Sequence, residues 1–159
     1  MEMTATASIY EIERNKPMPD KLHSYLQKRL IFLLELHYRK VYETLPELNI
    51  IFEGEKKVPD LAIYEKQALD FTKNETNITL IPVGAIEILS GQQVISNLTN
   101  KLEKYLSAGV KSYWLVLPEL RSIYVFHTAD ESFIYGKKDV LKDEVLGIEL
   151  NMKDVFEGM

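Results

Sequence analysis

Apolar residues recur from Pro19 onward at intervals of three and four positions, which is the spacing of one face of an α-helix. Asp20 can cap the N-terminus of this first helix, which we expect to run to about Tyr42 and to end before Pro46. The residues of the apolar face are Leu22, Tyr25, Leu26, Leu30, Leu33, Leu34 and His37.

Short apolar runs bounded by polar loops predict strands on both sides of a second helix. The runs before that helix are Leu48–Phe52, Val58–Tyr64 and Ile78–Leu89. The helix itself fits Gln92–Ala108, and Gly109 follows it in the position where helices favour a left-handed residue. After it come Ser112–Leu117 and Ser122–His127 as a hairpin, Phe133–Tyr135 and Glu149–Leu150 as edge strands, and a helical turn in Asn151–Glu157. The order of helix, three strands, helix and two or more strands predicts a mixed α/β fold.

The length and composition fit one domain at residues 19–159, preceded by a polar N-terminal extension at residues 1–18 with a short extended run at Ser8–Ile12. A chain of 159 residues is long enough to bury a substantial core. Cysteine is absent, which excludes disulfides and thiolate metal sites. No apolar run approaches the roughly 18 residues of a membrane span, and no signal-peptide pattern opens the sequence. We therefore expect a soluble cytoplasmic protein that does not associate with membranes.

Two acidic residues lie in apolar surroundings and are the first candidates for chemistry. Glu87 lies inside an apolar run, where a carboxylate is costly unless a partner compensates it. Side chains alternate along a strand, so Asp60 shares a face with Ala62, and Glu87 shares a face with Ala85. If the strands are neighbours and these faces match, the carboxylates converge into a site for Mg²⁺ or Mn²⁺. The competing interpretation places Asp60 at the end of a loop and Glu87 at a solvated sheet edge.

Lys101 is the candidate cation for the same site. At about 100° per residue, Lys101 falls beside the apolar arc of the second helix, next to Tyr105. A lysine at this rim can reach over the sheet toward Glu87, whereas the alternative is a lysine whose stem is buried while its ammonium stays in water. The histidines lack the spacing of metal ligands, and we interpret them as structural: His23, His37 and His127.

Residues 87–114 carry a set of motifs that fall in register without a gap. They are Glu87-Ile88-Leu89-Ser90, Lys101, Tyr105, Ala108-Gly109-Val110 and Tyr113-Trp114. Upstream, Val58-Pro59-Asp60-Leu61 adds a further motif, and the helix that holds His23 adds a leading one. Together these motifs resemble the Uma-two-type putative restriction endonuclease family, part of the PD-(D/E)XK nuclease superfamily. The resemblance covers roughly residues 19–128.

The resemblance implies a restriction-endonuclease-like core, a divalent-metal site and DNA as the partner. By the matching positions, Asp60 and Glu87 would be the acids that bind Mg²⁺ or Mn²⁺. Lys101 would be the catalytic lysine, migrated from the usual E-x-K position that Leu89 occupies here. This migrated placement agrees with the rim position that helical geometry gives to Lys101.

Several supporting positions depart from the family pattern. Val83 stands where members often carry the aspartate of a second P-D, Asn97 replaces an aspartate of the helix, and Ser90-Gly91-Gln92 replaces S-P-S. Leu117 replaces an aspartate that commonly follows the Y-W motif. The loss of such supporting groups can weaken metal binding by about 10–100-fold.

The sequence is therefore compatible with two functions. The first is a Mg²⁺- or Mn²⁺-dependent endonuclease that hydrolyses DNA phosphodiester bonds with Asp60, Glu87 and Lys101. Because cutting both strands of a duplex usually calls for two active sites, this hypothesis allows a homodimer. The second is a catalytically degenerate binding or assembly protein on the same fold, which the net charge of −5 and the departures favour.

Overall fold

Two long helices flank a mixed sheet in residues 19–90 and 95–159, the part of the chain that the computed structural model describes. The helices are α1 (Lys21–Tyr38), α2 (Ile95–Ala108) and the short α3 (Met152–Val155). The strands before α2 are β1 (Tyr42–Pro46), β2 (Ile50–Phe52), β3 (Glu55–Lys57), β4 (Leu61–Glu65) and β5 (Gly84–Ile88). The strands after α2 are β6 (Ser112–Leu117), β7 (Ser122–Thr128), β8 (Glu131–Gly136), β9 (Val140–Asp143) and β10 (Ile148–Asn151).

The main sheet has six strands in the order β1-β4-β5-β6-β7-β8. The pair β5–β6 is parallel, with α2 in the crossover between them, and the other neighbours in the sheet are antiparallel. Two smaller antiparallel pairs, β2–β3 and β9–β10, lie outside this sheet. The mixed α/β fold expected from the sequence is confirmed. None of the helices in the described ranges is long and apolar enough to cross a membrane.

Each face of the main sheet buries its own apolar cluster, and alternate residues of one strand enter different clusters. The α1 side includes Leu26, Leu30, Ile63, Ile86, Ile88, Trp114, Val116 and Phe156. The α2 side includes Phe52, Ala62, Tyr64, Ala85, Leu98, Leu102, Tyr105, Tyr113 and Leu115. By this alternation β5 turns Ala85 and Glu87 toward α2, on the face where Ala62 of β4 also lies.

Asp20 caps α1 as expected, because its Oδ1 accepts a hydrogen bond from the backbone N–H of His23 at 2.8 Å. The helix ends at Tyr38 rather than near Tyr42, so the expected end is corrected. Residues from Tyr42 onward instead form the edge strand β1, which pairs with β4. Helical spacing alone did not reveal this strand, because its pairing partner lies almost twenty residues downstream.

The strand bounds also differ from the expectation in places. β4 begins only at Leu61, because Pro59 has no N–H to donate and the Asp60 side chain accepts the N–H of Ile88. Within Ile78–Leu89 only β5 is a strand, and Ile78 forms an isolated bridge with Ile50.

The later strands fit the expectation more closely. Ser112–Leu117 is a strand as expected, and Phe133–Tyr135 lies within the edge strand β8. Glu149–Leu150 is not an edge of the main sheet, because it belongs to β10 and pairs with β9. The expected run at Ser8–Ile12 and the expected helix start at Gln92 lie outside the described residues.

Gly109 ends α2 in the expected left-handed conformation, with φ of 115°. The next residue, Val110, donates its N–H to the carbonyl of Tyr105 at 3.0 Å and so satisfies a carbonyl at the helix end. This ending fixes the position of Tyr105, one turn after Lys101, relative to β6.

Three side chains of α1 form hydrogen bonds to the C-terminal segment of the chain. Arg29 donates to the carbonyl oxygen of Asp154 at 2.7 and 3.1 Å, and Tyr25 donates to that of Glu157. The Tyr38 hydroxyl accepts from the N–H of Glu149 at 2.6 Å and lies 3.1 Å from the carbonyl oxygen of the same residue. These contacts join the first described helix to the last residues of the chain.

A buried carboxylate, Asp143, connects β6, β7 and the loop after β9. Its Oδ2 accepts from Ser112 Oγ and, at 2.8 Å, from Trp114 Nε1. Its Oδ1 lies 3.0 Å from His127 Nε2 and accepts from the N–H groups of Val145 and Leu146. Burial by itself raises the pKa of Asp143, but the hydrogen bonds, from Ser112 first, hold the pKa below its usual value.

Asp143→Asn should lower the free energy of unfolding at neutral pH by about 2–3 kcal/mol, because an amide NH₂ would face hydrogen-bond donors. The pKa of Asp143 is lower in the folded protein than in the unfolded protein. The contribution of Asp143 to the free energy of unfolding is therefore complete above about pH 4, and it is lost as the pH falls through the pKa of the folded protein. Urea denaturation of the wild type and the variant at neutral and acidic pH measures this. Asp130→Asn, at an exposed turn, is the control, and a difference that persists unchanged at low pH would contradict the assignment.

Candidate functional site

Glu87 lies in the interior strand β5 and is 1 % exposed. In the register of the sheet it pairs with Leu115 of β6. It therefore does not lie at a solvated sheet edge, and that alternative is wrong. A carboxylate at this depth needs polar partners, since an isolated buried charge is strongly unfavourable.

Asp60 immediately precedes β4 and is 2 % exposed. β4 and β5 are antiparallel, and Leu61 pairs with Ile86, so one further step along the same register brings Asp60 opposite Glu87. Its Oδ2 accepts the N–H of Ile88 at 2.7 Å, which ties the carboxylate to the residue directly after Glu87. The register and this hydrogen bond therefore place the two acids at the same end of neighbouring strands.

Helix α2 supplies two polar side chains to Glu87. Lys101 Nζ lies 3.8 Å from Glu87 Oε1, and Tyr105 donates its hydroxyl to the same oxygen at 2.9 Å. The spacing of four residues places Lys101 and Tyr105 one above the other on the helix. Lys101 is 15 % exposed, so its stem is largely buried while its ammonium reaches the carboxylate. The rim position expected from the sequence thus leads toward the acids.

Helix α1 supplies a partner to Asp60. His23 is buried, and its Nε2 lies 3.0 Å from Asp60 Oδ1. Gln27, one turn later, donates to the backbone carbonyl of Asp60 at 2.9 Å and to Glu47 Oε1 at 3.1 Å. The first turns of α1 therefore fix both the side chain and the backbone of Asp60.

The charges of the two acids act on the same pair of tyrosines. Burial raises the pKa of Tyr105 well above its usual value, and the negative charges of Glu87 and Asp60 raise it further. The pKa of Tyr113 is raised well above its usual value by burial and then by the same two charges. Both hydroxyls therefore stay protonated, and Tyr105 remains a hydrogen-bond donor to Glu87.

Sequence reasoning identified Asp60, Glu87 and Lys101, and these side chains lie together. It assigned His23 only a structural role near the polar border of the helix, which understates its position against Asp60. The signal that could have found it is its place one turn after the helix cap, on the face that carries Leu26 and Leu30. The other histidines lie elsewhere, His37 on the exposed surface of α1 and His127 beside Asp143.

The comparisons with known proteins identify a family for this chain. The sequence profile of a family described as "Uma2: Putative restriction endonuclease" matches residues 11–153. The chain belongs to this family. Restriction-endonuclease-like families generally use divalent metals. No curated protein matches the chain.

A solved structure shows the same fold. A crystal structure described as a putative nuclease belonging to DUF820 from Anabaena variabilis ATCC 29413 superposes with a TM-score of 0.76 at 21% sequence identity. The match covers 88% of this chain and 83% of that one. A cryo-electron microscopy structure of the DrdV–DNA complex gives a TM-score of 0.42 at 13% sequence identity, over 87% of this chain and 14% of that chain. The restriction-endonuclease-like fold is therefore established for this Uma2 chain.

Three of the positions that depart from the Uma2 pattern carry uncharged side chains: Val83, Asn97 and Leu117. Leu117 is buried in the apolar cluster on the α2 side of the sheet. Asn97 is exposed in the first described turn of α2. The backbone N–H of Val83 donates a hydrogen bond to the carbonyl oxygen of Ile63 at 2.8 Å. Lys101 contacts Glu87, and the His23 ring contacts Asp60.

Tyr105→Phe should lower the free energy of unfolding by about 1.5–3 kcal/mol, because it removes a hydrogen bond to a buried carboxylate. Thermal or urea unfolding followed by circular dichroism measures the change. The matched control is Tyr124→Phe at a half-buried position whose hydroxyl makes no hydrogen bond to a described residue, and it should be nearly neutral. Equal effects of the two substitutions would show that the bond to Glu87 contributes nothing.

Proposed function

We propose that this chain is a Mg²⁺- or Mn²⁺-dependent endonuclease that hydrolyses phosphodiester bonds of DNA. The observation that carries the proposal is the position of two buried acids, Asp60 and Glu87, at the same end of neighbouring strands, with Lys101 Nζ 3.8 Å from Glu87 Oε1. Membership of the Uma2 family supports the nuclease class. The proposal treats residues 19–159 as the catalytic domain and residues 1–18 as an extension.

The donor set fits a hard divalent cation. Asp60 and Glu87 offer carboxylate oxygens, and Mg²⁺ is commonly held by one or two carboxylates while it keeps several waters. In the described ranges no group of three or more His, Asp or Glu side chains is placed to hold a metal ion. We therefore assign Asp60 and Glu87 as the metal ligands from the protein, with water in the other positions. A cation bound there would activate water and neutralise charge on the phosphate.

The remaining side chains position the acids and the substrate. His23 holds the Asp60 carboxylate from α1, and Tyr105 holds Glu87 from α2. Groups that orient a metal ligand commonly change metal affinity by about 10–100-fold when they are lost. Lys101 has an ammonium that can donate to a phosphate oxygen or orient the attacking water, and it would stabilise charge that builds up in the transition state. It is also the most exposed of the three assigned residues, so the phosphate would approach from its side.

DNA is the proposed partner, and a homodimer is the proposed assembly. A dimer would bring two active sites to one duplex, one for each strand. The net charge of −5 gives little attraction for nucleic acid over the surface as a whole, so we expect binding to depend on the divalent cation and on Lys101.

The second candidate is a DNA-binding or assembly protein that has lost catalysis. It is favoured by Leu117, which buries an apolar side chain where the family commonly carries an aspartate. A chain of this kind keeps the fold and the acid pair but cleaves no substrate. The measurement of metal binding and cleavage on the same samples separates the two candidates.

Substitutions at the three assigned residues should separate metal binding from cleavage. Asp60→Asn and Glu87→Gln should abolish Mn²⁺ binding in calorimetry and the nicking of supercoiled plasmid. Lys101→Met should keep Mn²⁺ binding but reduce nicking by about 10²-fold or more, because it removes a group that acts on the phosphate.

Glu75→Gln, at an exposed loop position, is the matched control and should change neither readout. Circular dichroism confirms that each variant is folded. Wild-type protein that binds Mn²⁺ and DNA but nicks nothing supports the degenerate protein. Wild-type protein that neither binds Mn²⁺ nor nicks plasmid, with Asp60→Ala behaving identically, removes the metal site as well.

A further inference from the structure

Strand β8 forms one edge of the main sheet and carries apolar side chains on its surface. Its inner neighbour is β7, and no described strand lies on its other side. Phe133 and Ile134 are 45 % and 58 % exposed. Exposed edges of this kind are usually protected by charge, proline or a covering element, because they pair readily with another chain. The middle of β8, Ser-Phe-Ile-Tyr, has none of these residues.

Gly136 reveals the direction in which the backbone groups of β8 point. Its N–H donates to Asp139 Oδ2 at 2.6 Å, and its carbonyl accepts from Asp139 N at 3.0 Å, so neither group bonds to β7. Backbone groups alternate in direction along an antiparallel strand. Ile134 and Ser132 therefore direct their N–H and C=O groups away from β7 as well. Outside the pairing of β8 with β7, no backbone hydrogen bond to Ser132 or Ile134 occurs among the residues that the structure describes.

We infer that β8 binds a second copy of this chain, whose own β8 pairs with it in antiparallel orientation about a two-fold axis at Phe133. Residues that both direct their groups outward can exchange hydrogen bonds, so Ser132 of each copy lies opposite Ile134 of the other. Phe133 then lies opposite Phe133 of the second copy in a non-hydrogen-bonded pair, where side chains are closest and aromatic pairs stabilise sheets. The two main sheets become one continuous sheet.

The charges at the ends of β8 favour this orientation. The strand starts after Asp130 with Glu131, and it is followed by Lys137 and Lys138. In the antiparallel register Glu131 has Lys137 of the second copy as its diagonal neighbour, which is within reach of long side chains. Lys137 also contacts the carbonyl oxygen of Met159 in its own chain. A parallel pairing would instead bring acidic ends together and basic ends together.

The opposite edge of the sheet lacks these properties. Strand β1 ends at Pro46, which has no N–H, and Glu43 on this strand forms an ion pair with Lys66. Of the two edge strands of the main sheet in the described part of the chain, β8 is therefore the one that offers exposed apolar side chains.

Sedimentation equilibrium of the full chain, without metal or DNA, tests the pairing independently of nuclease activity. Wild-type protein should dimerise, and Ile134→Pro should raise the dissociation constant of the dimer at least about tenfold, because it removes the outward N–H of each copy. The matched control Ile134→Thr keeps this N–H and the β-branched shape, so it should weaken the dimer less. Circular dichroism should show all three proteins folded, since proline is tolerated where an edge N–H faces solvent.

The charged ends give a second readout that does not involve proline. Glu131→Lys should weaken the dimer, and the double variant Glu131→Lys with Lys137→Glu should restore it. A monomer at the highest concentration at which the wild type stays soluble would overturn the inference. If Ile134→Pro is folded and its dimer is unchanged, the interface lies elsewhere. If Ile134→Pro does not fold, a double variant that fails to restore the dimer also shows that the interface lies elsewhere.

Discussion

The site depends on a carboxylate that is buried in the interior of the sheet. Glu87 lies on β5, between a parallel and an antiparallel neighbour, and almost none of it reaches solvent. A charge at that depth requires polar partners, and they come from α2 through Lys101 and Tyr105. The parallel pairing of β5 with β6 requires a crossover, and α2 is that crossover. The topology that buries the acid therefore also brings the groups that compensate it.

The two kinds of buried carboxylate in this chain differ in what surrounds them. Asp143 is held by a hydroxyl, an indole, a histidine and two backbone N–H groups, and this fixed set of donors lowers its pKa. Asp60 and Glu87 instead lie at the same end of neighbouring strands, Asp60 with a partner from α1 and Glu87 with partners from α2. The first arrangement joins strands to a loop, which is a structural role. The second brings like charges together, an arrangement that a bound cation would stabilise.

The sequence predicted the parts of the site that follow from periodicity within one element. Alternation along a strand placed Asp60 and Glu87 on matching faces, and helical spacing placed Lys101 at the rim of α2. The contact of His23 with Asp60 was not predicted, since it depends on how α1 packs against the end of β4, which no local pattern contains. The same reason explains the missed strand β1, whose pairing with β4 overrides the helical pattern that precedes it. The interpretation of Asp60 as a loop residue was partly correct, because the strand begins only at Leu61.

The contacts between α1 and the C-terminal segment have a consequence for the order of folding. Tyr25 and Arg29 bond to carbonyls that lie more than a hundred residues later in the chain. Contacts of such long sequence separation form late and slow the folding of a domain. During synthesis, β5, α2 and β6 can associate while α1 still lacks these anchors. The C-terminal partners of α1 are therefore synthesised only after the strands and helix that carry Glu87, Lys101 and Tyr105.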